Sequence, residues 1–92
     1  MANIYTIIQR KVNRDEFDFS EHSLNELAAE NFRLADAERV ILSPFNYYQF
    51  TDDDSHVRYA FEGYTEKGRM LRVIVFLQQS RVKIKTGYEI FD

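Results

Sequence analysis

Pro44 is the only proline in the chain, and the hydrophobic periodicity changes at it. Before it, apolar residues recur at the three-and-four spacing of a helix; after it they alternate, as in strands. A proline lacks the backbone donor and pushes its predecessor out of the α region, so no helix runs through Ser43-Pro44. The chain therefore divides into a helical part, residues 1–43, and a sheet part, residues 45–90. Its 92 residues are the length of one domain, 1–92.

Within the helical part, Ile4, Ile7, Ile8 and Val12 share one face, and Asn3 is placed to cap it. Residues 13–19 read as a connection that tucks Phe17 and Phe19 under the next element. Ser20 caps a second helix whose stripe is Leu24, Leu27 and Ala28, with Glu21, Asn25, Glu26 and Glu30 on the wet side. A third helix carries Leu34, Ala37, Val40 and Ile41.

The sheet part reads as four strands. An aromatic strand around Phe45, Tyr47, Tyr48 and Phe50 ends at the turn-forming Asp52-Asp53-Asp54-Ser55. Val57–Tyr64 follows, then a turn at 65–68, Arg69–Gln78, a tight turn at Gln79-Ser80, and Arg81–Tyr88. Helices followed by an antiparallel meander predict an α+β domain, with two or three N-terminal helices on one face of a four-stranded antiparallel sheet. A two-residue turn at Gln79-Ser80 pairs Leu77 with Val82, Val75 with Ile84, Val73 with Thr86 and Leu71 with Tyr88 in the core. The opposite face then holds Arg72, Ile74, Phe76, Arg81, Lys83 and Lys85. A four-residue turn at 65–68 adds Val57, Tyr59 and Phe61 to that outer face, and a one-residue slip moves those three into the core.

A chain this short buries only about 60–65% of its unfolded surface, and 45% hydrophobic residues supply a core without staples. The lack of cysteine excludes disulfides, thiolate zinc sites and thiol nucleophiles. No run approaches the roughly 18–20 apolar residues of a membrane span. No signal-peptide core opens the chain, so a cytoplasmic protein with no membrane partner is the expectation.

The formal charge of −3 hides a division. Residues 1–56 hold 5 Lys/Arg against 11 Asp/Glu, and residues 57–92 hold 7 against 4, so the first part is −6 and the second +3. Arg81, Lys83 and Lys85 form a basic stripe beside aromatic residues. Such a stripe suits phosphate contacts and base stacking, docking onto an acidic partner, or plain protection of an edge strand. Asp52-Asp53-Asp54-Ser55-His56 lacks the ligand spacing of a calcium loop and reads as a solvated turn, so no metal ligands are assigned. No cofactor motif or Gly-rich phosphate loop is present. His22, in the first turn of the second helix, and His56, near Arg58, are the only histidines available for proton transfer.

Phe19-Ser20-Glu21-His22-Ser23-Leu24 resembles the Ser-x-His-Ala-Leu helix start of a small bacterial domain-of-unknown-function family that looks related to BrnT-type and RelE/ParE-type toxins of toxin–antitoxin systems. Asp36–Ile41 resembles that family's second short helix. Tyr48–Asp54 and Tyr59–Gly63 follow in the family's order. Gly68-Arg69-Met70-Leu71-Arg72-Val73-Ile74-Val75 is similar to its Gly-Arg-x-Leu-His-Val-Val, and Lys85-Thr86-Gly87-Tyr88-Glu89 to its terminal Thr-x-Tyr-Glu. The resemblance implies a RelE/BrnT-like fold, an RNA target, and an antitoxin or other protein partner. It would give phosphate binding to Arg58, Arg72, Arg81, Lys83 and Lys85, proton transfer to His22 or His56, and a stacking or orienting role to Tyr88. Glu26 and Glu30 stand where the family is usually basic, and Arg72 where it often has histidine, which weighs against a ribonuclease-like reaction. Two readings stay open: a toxin-like protein acting on RNA, and a non-catalytic module on the same fold that binds a protein or itself.

Overall fold

The computed structural model describes residues 3–91. Three helices, α1 (Ile4–Asn13), α2 (Glu21–Ala29) and α3 (Leu34–Leu42), cover one face of a sheet. Its strands are β1 (Phe17–Phe19), β2 (Asn46–Thr51), β3 (Val57–Tyr64), β4 (Met70–Gln78) and β5 (Arg81–Glu89), in the order β1-β5-β4-β3-β2. The caps form as the sequence implies. Asn3 Oδ1 accepts from Thr6 N at 2.9 Å, and Ser20 Oγ accepts from Ser23 N at 3.1 Å.

The sheet has five strands and is mixed, where four antiparallel strands were expected. The added strand is β1, which pairs parallel to β5 with Phe17 opposite Val82 and Phe19 opposite Ile84. Three residues are too few for a period-two pattern to register, and its pairing partner lies more than sixty residues away. Phe17 and Phe19 still pack on the core, as expected, but from a strand.

Ile8, Val12, Leu27, Phe32, Ala37, Val40 and Ile41 of the helical half meet Phe61, Leu71, Val73, Val75, Val82 and Ile84 of the sheet. Each Val, Leu, Ile or Phe among them contributes about 1.5–3 kcal/mol on full burial. The α2 face is rotated from the expected stripe: Ser23 and Leu27 point inward, while Leu24 and Ala28 are exposed. Gly87 explains the close approach of α2 to β5, since a Cβ there would lie 2.9 Å from Leu27 Cδ2. In α3, Leu34 is exposed rather than buried.

One register expectation is corrected, and one placement left open by the sequence is resolved. Leu77–Val82 and Val75–Ile84 pair as expected, across a turn in which Gln79 and Ser80 both have positive φ. Beyond them a bulge opposite Ile74/Val75 slips β5, so Val73 faces Gly87, Leu71 faces Glu89, and Tyr88 faces Arg72 on the outer surface. The β3–β4 turn is five residues long, closed by Thr65 N to Arg69 O at 2.9 Å with Gly68 at φ +79°. That extra residue turns Phe61 and Tyr59 to the helix side, opposite Val73 and Val75, instead of the outer face. Val57 shares their side but lies at the exposed margin. Among the described residues no helix is long and apolar enough to cross a membrane.

Candidate functional site

The sheet face away from the helices carries Tyr48 and Phe50 from β2, Arg58, Ala60 and Glu62 from β3, and Arg72, Ile74 and Phe76 from β4. Lys83 joins them from β5, directly opposite Phe76. The Arg58 guanidinium carbon lies 4.4 Å from the Phe76 ring centroid, a cation–π contact that fixes both.

A pocket of about 390 Å³ opens here, lined by Ser20, His22, Arg58, Phe76, Lys83 and Lys85. Its assembly depends on two features with no sequence signal. Because β1 lies along β5, the chain enters α2 beside that strand; Ser20 N donates to Ile84 O and Ser20 Oγ to Lys85 O, both at 2.9 Å. This brings the first turn of α2, with His22, to the sheet. The β5 bulge leaves Lys85 outside the cross-strand pairs, and it lines the pocket with Lys83. His22 Nε2 lies 3.3 Å from Glu26 Oε1.

A neighbouring pocket of about 440 Å³ shares Arg58 and Phe76 and is bounded by Ser55, His56 and Gln78. His56 Nδ1 is 3.4 Å from Arg58 Nη2. Asp52 holds this corner: its Oδ1 accepts from the backbone N–H of Asp54 and of His56, and its Oδ2 accepts from Arg58 Nε at 3.0 Å. The His56 N–H, then that of Asp54 and the Arg58 guanidinium, hold the Asp52 carboxyl below its ordinary value. Asp52, Asp54 and His56 present ligand atoms within 4.8 Å of one another, yet both Asp52 oxygens are already engaged, one by a cation. The turn is a clasp on Arg58.

Three residues assigned to the site from sequence, Arg72, Arg81 and Tyr88, do not line this pocket. Arg72 and Tyr88 belong to a network at the other end of the outer face. Arg72 Nε donates to Glu62 Oε2 at 2.6 Å, Arg72 Nη1 to Tyr88 Oη at 2.9 Å, and Asn46 Nδ2 to Glu62 Oε1 at 3.0 Å. Burial pushes the Glu62 carboxyl up, but the bonds from Asn46 and Arg72, the Arg72 charge and the Tyr48 hydroxyl outweigh it and hold Glu62 below its ordinary value. The Tyr88 bond, with that to Glu62, raises the Arg72 guanidinium against the opposing effect of burial. Arg81 is engaged at the sheet edge, with Nε 2.9 Å from Asp18 Oδ2 and Nη2 donating to Phe17 O. Of the basic stripe, Lys83 has Asp18 at 4.0 Å, and Lys85 has no ion pair among the described residues.

Glu26 and Glu30 are not on a wet face. Glu26 Oε1 accepts from Thr86 Oγ1 and from Gly87 N, and Glu30 Oε1 accepts from Glu89 N at 3.2 Å. They satisfy the free edge of β5 where β1 has ended, a structural use for acidic residues at these positions. Phe76 is the site residue whose importance the sequence left unstated; its alternation with Val75 and Leu77 put it on the outer face without marking it as the platform of a pocket.

A family model described as "Domain of unknown function (DUF4258)" matches residues 19–89, more than three quarters of the chain. No curated protein and no solved structure matches it.

Proposed function

We propose that this chain, which belongs to the DUF4258 family of domains of unknown function, is an RNA-directed protein that engages a phosphodiester backbone in the pocket around Phe76. The observation that carries this reading is the convergence of His22, Arg58, Lys83 and Lys85 on one aromatic side chain. Cations around an aromatic ring are the composition that binds single-stranded nucleic acid, phosphate by charge and base by stacking. Lys83 and Lys85 hold phosphate oxygens, and an unpaired base lies against the Arg58–Phe76 stack.

The RelE/BrnT-like resemblance extends this to cleavage. The His22 imidazole takes the proton of a ribose 2′-hydroxyl, whose oxygen attacks the adjacent phosphorus. The bond to the 5′ oxygen breaks, and that oxygen takes a proton from His56 in the adjoining pocket. The cations offset the charge that grows on the phosphoryl oxygens. A 2′,3′-cyclic phosphate and a 5′-hydroxyl result. A toxin role with an antitoxin partner is the biological form of this reading.

A non-catalytic RNA- or protein-binding module is the second reading. It is favoured by the engagement of Tyr88 and Arg72 with Glu62, which withdraws from chemistry two residues that the resemblance would use. The experiment is incubation of a labelled single-stranded oligoribonucleotide with the wild type and with His22→Ala, alongside induced expression without any antitoxin. Cleavage and growth arrest that both vanish in His22→Ala support the toxin-like reading. Binding without cleavage selects the module, and absence of both binding and toxicity sinks the RNA reading.

A further inference from the structure

The two edges of the sheet are treated differently. Along β5, the backbone is covered by β1 at Val82–Ile84 and by the carboxylates of Glu26 and Glu30 at Gly87 and Glu89. The outer side of β1 is three residues long, bears the Asp18–Arg81 ion pair, and has Phe17 O taken by the Arg81 guanidinium. These are devices by which native proteins block strand addition.

β2 has none of them. Asn46–Thr51 contains no charged residue and no proline, and its register with β3 runs without a bulge. Asp52 N donates to His56 O, in register with the β2–β3 pairs. Because ladder bonds alternate, Asn46, Tyr48 and Phe50 bond to β3. The N–H and C=O groups of Tyr47, Gln49 and Thr51 therefore point away from the sheet. Beside this edge lie exposed aromatic side chains: Tyr47 at 48%, Phe45 at 50% and Tyr64 at 55% of full exposure.

We propose that two copies of this chain pair through β2, antiparallel about a two-fold axis at Gln49, joining their sheets into one. Three outward residues spaced by two are self-complementary in this arrangement. Gln49 faces the partner's Gln49 and Tyr47 faces the partner's Thr51, so each donor meets an acceptor. A second copy is favoured over other occupants by charge and by closure. The neutral β2 row opposes only itself, with no like charges across the axis. The alternative of β2 on the β1 edge of another copy would meet the Asp18–Arg81 pair and propagate as an open filament. The pairing is independent of any RNA-directed role, and it leaves the Phe76 pocket, on the central strand β4 and separated from β2 by β3, open in each copy.

Sedimentation across a series from low micromolar to sub-millimolar concentration tests it, on wild type and two variants. Gln49→Pro removes an outward N–H, which an edge strand tolerates, and Gln49→Lys places two cations face to face on the axis. The wild type should sediment as a dimer at the upper concentrations. Both variants should keep the wild-type fold by circular dichroism and weaken dimerisation at least tenfold. The register is read separately with Gln49→Cys, the single thiol in an otherwise cysteine-free chain. It should form a disulfide-linked dimer under mild oxidation far faster than the control Thr6→Cys. A wild type that stays monomeric throughout, Gln49→Lys dimerising as the wild type does, or equal cross-linking by the two cysteine variants would each overturn the proposal. If Gln49→Pro fails to fold, the lysine and cysteine variants decide alone.

Discussion

Replacing Arg72 with methionine removes the cation that holds Glu62, while keeping a side chain long enough to cover the same surface. The Glu62 side chain is 9% exposed and that of Arg72 29%, with Nε 2.6 Å from the carboxylate. Removing one partner of a fully buried pair costs about 3–5 kcal/mol, because the other charge is left uncompensated. Water admitted at the Arg72 end, with Asn46 still donating, lowers the expectation to about 2–3 kcal/mol. Against a total of roughly 5–14 kcal/mol for a chain this size, that is a large fraction. The melting temperature should fall by about 8–24 °C.

The pH dependence is the sharper test. In the wild type Glu62 titrates below its unfolded value of about 4.3, so its stabilisation is full above that pH and is lost as pH falls through the lower folded value. In Arg72→Met, burial dominates and Glu62 titrates above its unfolded value. Its contribution then favours the fold at low pH and is lost as pH rises through the raised folded value. The stability difference between the two proteins should therefore begin to shrink as pH falls through the raised folded value in the variant, and go on shrinking below the unfolded value of about 4.3. Urea denaturation of both proteins from neutral to acid pH measures this directly. Adding Glu62→Gln to Arg72→Met should recover part of the loss, because no buried charge is then left alone. An Arg72→Met protein within about 0.5 kcal/mol of wild type at every pH would refute the view that this network is a structural unit.

Three further outcomes follow from the geometry. Gly87→Ala should cost about 1–3 kcal/mol in urea denaturation, since its Cβ would press on buried Leu27 from 2.9 Å. Ser20→Ala should cost about 1 kcal/mol through the lost cap, and should also weaken RNA binding, because Ser20 ties the His22 turn to Lys85. In filter binding to a single-stranded oligoribonucleotide, Lys83→Ala with Lys85→Ala should flatten the plot of log affinity against log salt by about 1.4, two phosphate contacts at about 0.7 each.

Much of the fold was legible because its signals are local. Pro44 set the boundary between periods, Asn3 and Ser20 announced helix starts, and Val73-Ile74-Val75-Phe76-Leu77 could only be an inner strand. The errors share one physical origin, which is that register is set by single residues. A fifth residue in the 65–69 turn chose the core for Phe61, where the sequence left both faces open, and a bulge at Lys85 moved Tyr88 from the core to the outer face. The strand β1 was hidden because its only reason for being extended is a partner far along the chain. The site was half legible. Arg58, Lys83 and Lys85 announced themselves by charge, but their union with His22 depends on β1 and the bulge together. Arg72, Arg81 and Tyr88 looked equivalent to them in sequence, and only their contacts with Glu62 and Asp18 separate them.

On the proposed reading, the pocket around Phe76, and not the basic stripe as a whole, meets RNA. The direct measurement is the affinity of a fluorescent single-stranded oligoribonucleotide for Phe76→Ala and for Arg81→Ala, at matched salt and with folding checked by circular dichroism. Loss of one base stack, about 1–3 kcal/mol or roughly 5–150-fold, is predicted for Phe76→Ala, and little change for Arg81→Ala, whose guanidinium is already committed to Asp18. Equal loss in both variants, or none in Phe76→Ala, would contradict the assignment.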